Sequence, residues 1–384
     1  MSLRLSRSAL VPASRSAPLS VSGLSLALAV AISLLPAAPA QGQDLSGGDD
    51  LLYFGTYGGD VYVVSESDFS VVARMPTTSG IPGGLTPSAD GTRLFAQTID
   101  YESIEVFDLD THTSIDAFTL SERNTRARIR SIAVHPDGRH VVIMLRRYQK
   151  LRDRWDIGDM ELVLYDMTED RIVQDVPWPD GEPMENASFS YSPDGSHLYF
   201  FMDEVRIYDA ETYTEVDRWD YSDVLDQGLG DFRFGFSATP REEEGWHAGF
   251  FRIQEEIQDR TVLGVARANP TEREVEFFVL GPAESGPSGS FALAPDRAHA
   301  YALHQEIGNY QLWRIDLETR EAHHVLFAGR PRMSLEVSSN GELLYIYTAG
   351  NTIDVHDAES LERLHTVELD TDMTIGRIWI LPSR

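Results

Sequence analysis

From Leu51 onward the chain alternates short apolar runs with tight polar turns, and the alternation itself repeats. A strand-like run, a turn of Pro/Ser-x-Asp/Asn-Gly type and a second run recur as LTPSADGTRLFA (Leu85–Ala96), IAVHPDGRHVVIM (Ile132–Met144) and FSYSPDGSHLYFF (Phe189–Phe201). Weaker copies follow as FALAPDRAHAYAL (Phe291–Leu303) and LEVSSNGELLYIY (Leu335–Tyr347). Asp-Gly and Asn-Gly tolerate the positive φ that two-residue or bulged hairpin loops require, and the flanking residues run or alternate apolar as buried strands do, so each copy predicts a hairpin. Most are followed by a second hairpin with Asp in its turn: Val106–Phe118, Leu164–Val176, Ile207–Trp219, Trp313–Val325 and Val355–Val367. Two hairpins make four strands, which is one propeller blade.

The spacing supports blades. Gly91, Gly138 and Gly195 lie 47 and 57 residues apart, Asp296 follows Asp194 by 102, and Asn340 follows Asp296 by 44. Periods of roughly 40 to 50 residues mark propellers. The double gap implies a degenerate blade near Phe232–Leu280, where FRFGFSA, GWHAGFF, TVLGVAR and EVEFFVL read as strands while PREEEG replaces the usual turn. Six blades then lie between Ile81 and Leu369, and Leu51–Met75 and Thr374–Pro382 are each less than a blade. Three N-terminal strands and one C-terminal strand would complete a seventh and close the ring, which removes exposed sheet edges. Six or eight blades are the alternatives. The expected fold is all-β: a single β-propeller of about seven four-stranded blades over 51–384, its ring closed by N- and C-terminal strands.

Ahead of the repeats, residues 1–40 read as a secretory signal peptide. Arg4, Arg7 and Arg15 form a basic segment, Leu24–Leu35 a short apolar one, and Ala38-Pro39-Ala40 fits a small-residue cleavage pattern. The apolar run is shorter than the roughly 20 residues of a membrane span, so a mature chain beginning near Gln41, with a short acidic lead-in over 41–50, is expected in the periplasm or medium. An uncleaved N-terminal anchor is the alternative.

Composition narrows the function. The formal charge is −29, which repels nucleic-acid phosphates and anionic membranes; neither is an expected partner, and no membrane span is expected in the mature chain. Cysteine is absent, so export brings no disulfides, and covalent haem attachment through C-x-x-C-H is impossible. There is no G-x-S-x-G elbow, no H-E-x-x-H and no phosphate-cradling G-x-x-x-x-G-K-[ST]. No catalytic, cofactor-binding or metal-ligating residue is therefore assigned. His323-His324 would point to opposite faces of a strand; His135, His140 and His197 flank turns; Asp108-x-Asp110 and Asp370-x-Asp372 lack the spacing of a calcium loop. Asn186-Ala187-Ser188 matches a glycosylation sequon.

The unusual local feature is basic. Arg123, Arg126, Arg128 and Arg130 are followed by RRYQKLRDRW, Arg146–Trp155, which holds Lys150, the only lysine. The second segment sits between a strand ending near Leu145 and one over Glu161–Tyr165, and reads as a lengthened loop or helical turn. Arginine forks and aromatic anchors are the residue types of protein interfaces. Arg146, Arg147, Tyr148, Lys150, Arg152, Arg154 and Trp155 are the candidate partner-docking set, with an internal counter-charge to the acidic surface as the other reading.

The order of these elements resembles the YVTN-type propellers, and more closely the β subunit of quinohemoprotein amine dehydrogenase. The likeness runs over RSIAVHPDGRHVVIM with its charged insertion and LVLYDMTEDRIV, over FSYSPDGSHLYFFMDEVRIYDAET, over LWRIDLETRE, and over the closing VHDAESLERLHTVELDTDMTIGRIWILPSR. In that family the propeller is exported and carries no cofactor; it packs against a small subunit bearing cysteine tryptophylquinone and against a dihaem cytochrome c subunit. The resemblance implies a non-catalytic supporting subunit here, with quinone and haem c in the partners. A free-standing YVTN-type scaffold or ligand-binding propeller and a lactonase-like propeller hydrolase are the alternatives. The last would need acids, histidines or arginines gathered at one channel mouth.

Overall fold

Each hairpin forms where the turn chemistry places it. The structure, a computed structural model, describes residues 45–384 apart from 203, 221–232, 235–244, 256–258, 284–285 and 288–289. The signal-peptide segment and residues 240–244 of the PREEEG turn lie outside the described residues. Within the unit Asp44–Arg384, the strands form seven antiparallel sheets of four. Blade 1 runs from β4 (Pro82–Pro87) through β5 (Arg93–Thr98) to β7 (Thr113–Thr119). Blade 2 contains β8 (Thr125–Val134), β9 (His140–Lys150), β10 (Trp155–Asp166) and β11 (Arg171–Asp175). Blade 3 runs from β12 (Ser188–Tyr191) through β13 (His197–Phe201) to β15 (Glu215–Trp219). The degenerate blade is present as blade 4: β16 (Arg233–Phe234), β17 (His247–Glu255), β18 (Arg260–Asn269) and β19 (Glu274–Pro282). Blade 5 spans β20 (Phe291–Leu293) to β23 (Ala322–Leu326), and blade 6 spans β24 (Ser334–Val337) through β25 (Leu343–Tyr347) to β27 (Arg363–Glu368). Blade 7 is composite, ordered β28 (Trp379–Leu381), β1 (Leu51–Gly55), β2 (Asp60–Ser65) and β3 (Val71–Pro76).

The middle strands are apolar on both faces because each blade is packed on both sides. Side chains alternate along a strand, and the alternate sets go to different neighbours. In β9, Val141, Ile143 and Leu145 join Phe95, Ile104 and Phe118 of blade 1, while Val142 and Met144 join Phe189, Leu198 and Phe200 of blade 3. In β2, Tyr62 and Val64 pack on blade 6 and Val61 and Val63 on blade 1. The remaining clusters join blades 3 and 4, 4 and 5, and 5 and 6. Seven clusters thus fill seven interfaces, and the ring is closed.

The closing seam is the pairing of β28 with β1, Leu51 opposite Leu381 and Tyr53 opposite Trp379. Arg377 Nε donates to buried Glu336 of β24 at 2.5 Å, and Trp379 Nε1 donates to the Leu85 carbonyl at 2.8 Å, so the last strand is tied to blades 6 and 1. Gly376 lets it approach β4: a Cβ there would overlap the Gly83 carbonyl oxygen. Gly376→Ala is expected to cost about 1–3 kcal/mol, the range for overpacking, read as a lowered thermal midpoint; an unchanged midpoint would mean the seam yields.

Antiparallel order sends the first and third turns of every blade to one end of the ring, and the second turns and blade-to-blade links to the other. We call these the cap end and the link end. Cap-end turns are closed by side-chain oxygens accepting from the backbone two or three residues on. Asp90 accepts from Thr92 N, Asp194 from Ser196 N and Asp296 from Ala298 N. In the third turns Asp108 accepts from Thr111 N, Asp209 from Thr212 N and Asp316 from Thr319 N. Blade 4 keeps the device with Asn269, which accepts from Thr271 N at 3.0 Å. Gly91, Gly138, Gly195 and Gly341 take φ between 63° and 78°, and in blade 5 Arg297 adopts 59° in place of glycine.

Two cap-end carboxylates, Asp194 and Asp166 of blade 2's third turn, make this end pH-sensitive. Buried Asp166 accepts from Arg139 Nε at 2.8 Å and from Thr168 N, and the guanidinium, the first cause, holds its carboxyl well below the usual range. Asp194 is lowered to about 2, first by the Ser192 hydroxyl. A depressed folded-state pKa contributes stability above the unfolded value near 3.9 and loses it as pH falls through the folded value. The thermal midpoint should therefore fall between about pH 4 and pH 2. Asp166→Asn should lower it at pH 7 by roughly 2 kcal/mol of stability, the scale of a charged hydrogen bond, and should flatten the acid limb; an unaltered limb would show that this pair is not its source.

Candidate partner-docking site

The two ends of the ring differ in surface chemistry. Among the described residues, the large apolar side chains left exposed number thirteen. Six of these, Val71, Val72, Ile115, Val216, Leu326 and Leu364, lie on outermost strands. Of the other seven, Tyr57, Ile99, Tyr101, Ile307 and Ile375 lie on second turns or links, and Trp155 and Ile157 lie at the link-end start of β10. None is on a cap-end turn. Three seams at that end are bridged by hydrogen-bond contacts instead: Arg384 Nη2 donates to the Asp90 carbonyl, Arg93 Nη1 to the Gly138 carbonyl, and His135 Nε2 lies 3.0 Å from the Gly195 carbonyl.

Blade 2 rises out of the link end. The basic segment, expected as a lengthened loop or helical turn, is loop only over 151–154. It is the far half of a three-stranded ribbon, because RRYQK continues β9 and pairs with both neighbours. Arg146 lies opposite Arg128 and Met160, Tyr148 opposite Arg126 and Ile157, and Lys150 opposite Trp155. β9 is 11 residues long, against five in β13 and in β25. The ribbon leaves the ring at Ile129, whose N–H donates to the Tyr101 carbonyl on blade 1's second turn at 2.7 Å. From Leu145, opposite Ile129, to Lys150 is five residues, or about 17 Å of strand.

Pairing puts the two basic segments, distant in sequence, onto one sheet with two unlike faces. The back face carries Ala127, Ile129 and Leu145, buried against blade 1. Arg147 also belongs to it, its Nε donating to Glu161 at 3.0 Å. The front face carries Arg146 at its base and then Arg126, Arg128, Tyr148, Lys150, Trp155 and Ile157. The Arg126 guanidinium lies 6.0 Å and the Lys150 ammonium 5.9 Å from the Trp155 ring centre, and the Arg128 guanidinium 5.5 Å from Tyr148. Such contacts hold cations over rings without removing them from solvent. Trp155 stays 45 % exposed and Ile157 61 %.

The predicted docking set therefore divides. Tyr148, Lys150 and Trp155 come together on the front face, and Arg152 and Arg154 occupy the tip, with Asp153 3.5 Å from Arg154. Arg147 is committed to the back face, and Arg146 is bound by Glu185 at the ribbon's base. Arg126, Arg128 and Ile157 were not in the set. Arg126 and Arg128 are placed by cross-strand register, and Ile157, two residues beyond Trp155, shares its face once the segment is read as a strand. Arg126 also pairs with Glu102 at 2.9 Å. No carboxylate among the described residues pairs with Arg128, Lys150 or Arg152.

The remaining sequence candidates are structural. Asp370 accepts from the Tyr62 hydroxyl at 2.6 Å and from Arg74 at 2.7 Å, and Asp110 faces Arg384. His140 Nδ1 lies 2.6 Å from Asp137, and His135 Nδ1 accepts from Asp137 N. In β23, His324 stacks on Trp313 while His323 sits opposite Arg314. Among the described residues no group of three or more His, Cys, Asp or Glu side chains is placed to hold a metal ion, and no helix is long and apolar enough to cross a membrane.

Solved structures share this architecture. The dihydro-heme d1 dehydrogenase NirN in complex with DHE is 16 % identical over 89 % of this chain and 77 % of its own, with a TM-score of 0.51. Apo AztD from Citrobacter koseri is 12 % identical over 86 % and 98 %, TM-score 0.52. The Cps50 (Swd1) β-propeller domain of Myceliophteria thermophila is 14 % identical over 79 % and 90 %, TM-score 0.52. At these identities the likeness is one of fold: the chain is a β-propeller. No family model matches it, and no curated protein matches it in sequence.

Proposed function

We propose that this chain is a non-catalytic propeller scaffold that holds a partner protein at its link end through the blade 2 ribbon. The observation that carries the reading is the front face of that ribbon: exposed Trp155 and Ile157 beside Lys150, which no described carboxylate pairs, raised above a ring whose described cap-end turns expose no large apolar side chain. Exposed apolar surface collected in one place marks an interaction site, and Trp with Arg is the pairing that anchors interfaces.

The finer reading is an exported, periplasmic subunit of a quinone-dependent amine dehydrogenase, seated against a quinone-bearing small subunit and a dihaem cytochrome c. It rests on the family resemblance of the blade segments and on the lack of cysteine, which leaves this chain unable to carry either thiol-linked group. One of the solved propellers with this fold is a dihydro-heme d1 dehydrogenase. In such an assembly a rigid ring would position the quinone subunit and exclude water from the amine, a contribution of geometry rather than of reacting groups. The test is recovery of the tagged chain from its own periplasm, followed by quinone redox-cycling and haem stains of the separated bands. A small quinone-staining chain and a haem-staining chain in fixed ratio are expected; a chain recovered alone would contradict the subunit reading.

A further inference from the structure

Resting on the docking reading above, we infer that the ribbon is an electrostatic outrigger, whose front face takes a partner-protein segment with Asp or Glu flanking an apolar side chain, and whose length makes a cationic site workable on an anionic protein. Segments 123–130 and 146–159 carry nine Arg and Lys against three Asp, in a chain of net charge −29. A cation close to that body would be bathed in negative potential and would attract no anionic partner. The Debye length is about 8 Å at physiological ionic strength, so a ribbon about 17 Å long carries its outer cations roughly two screening lengths away. Trp155 and Ile157 lie between those cations and supply the apolar contact that the flanking carboxylates would frame.

Other occupants fit less well. A nucleic acid or an anionic bilayer extends beyond the ribbon and would be brought against the acidic ring. A second copy could offer an outermost strand such as β15, where exposed Val216 lies between Glu215 and Asp217, but that strand is part of the ring, and seating it on the ribbon would bring two acidic rings together. A protein segment of ribbon size meets the cations without approaching the ring.

The device has a salt signature. At about 0.01 M salt the Debye length reaches about 30 Å, the body's charge extends past the ribbon, and an acidic partner is repelled; at 1 M it is about 3 Å and the contact pairs themselves weaken. Affinity should therefore peak near 0.1–0.2 M and fall about threefold or more on either side, whereas a basic site without an acidic body weakens steadily with salt.

The experiment places a photo-crosslinking residue in the full chain, Ile157→benzoylphenylalanine on the ribbon and Glu359→benzoylphenylalanine at the cap end, in the native host, and sequences the cross-linked peptides. A partner peptide with carboxylates around an apolar residue, reached from position 157, is expected, and its purified protein should bind with the salt optimum. The Arg128→Ser, Lys150→Ser, Arg152→Ser triple variant should bind at least about tenfold more weakly and lose the optimum. Cross-links only from 359, to a second copy, to lipid or nucleic acid, to a segment lacking carboxylates, or a monotonic salt response would overturn the inference while leaving a scaffold. Absence of cross-links from both positions would overturn the scaffold reading as well.

Discussion

Replacing Gln149–Asp156 with an Asn-Gly turn is expected to weaken partner binding more than about 100-fold while leaving the ring intact, because anchors of this type each contribute about 2–4 kcal/mol at an interface. The replacement removes Lys150, Arg152, Arg154 and Trp155 and closes the shortened ribbon at the Tyr148–Ile157 pair, where a two-residue turn matches the strand twist. No residue between Gln149 and Asp156 belongs to a core cluster; the blade 2 contribution ends at Leu145 and Met160. The thermal midpoint should thus stay within about 2 °C of the parent, as expected for surface changes of about 0.5 kcal/mol or less. Calorimetry and titration of the recovered partner check the two halves. A large fall in midpoint would mean the ribbon supports blade 2, and unchanged binding would remove it from the interface.

Ending the chain at Thr374 is expected to have the largest effect on stability. The removed segment buries Ile378, Ile380 and Leu381, each worth about 1.5–3 kcal/mol on burial, and its loss leaves the buried Glu336 carboxylate without Arg377 and opens the edge of β1. The sum approaches the roughly 5–15 kcal/mol by which domains are stable, so the truncated chain should unfold at least about 10 °C lower or fail to fold cooperatively. A synthetic peptide of residues 375–384, added in excess, should restore part of the lost midpoint by refilling the seam. A truncated chain with the parent's melting curve would mean the ring does not depend on closure.

The ring was legible because its signals are local. Asp-Gly turns, the period between Gly91, Gly138 and Gly195, and the two incomplete ends each follow from residues close in sequence, and blade 4 was placed by its gap although its first turn departs from the repeat. Asn269 in the third turn of that blade was a further local signal that went unused. The ribbon was only half legible, since its chemistry is in the residue types and its shape is in the pairing. Arg, Gln and Lys are weak strand formers, so RRYQKLRDRW reads as loop; its β-form comes from the ladder to Thr125–Ile129 and Trp155–Ile157. Register turns Arg147 to the back face and Glu161, whereas Arg146 stays on the front face and is taken up by Glu185, which comes from the link between blades 2 and 3.

Hydrogen exchange, measured by mass spectrometry on the free chain and on the chain within its recovered assembly, bears most directly on one-ended docking through the ribbon. Slowed exchange is predicted in peptides covering 123–130 and 146–157, extending to the second turn near Tyr101, with the cap-end turns around Asp194, Asp316 and Asp357 unchanged. Protection confined to the cap-end turns, or a ribbon that exchanges equally in both states, would contradict it.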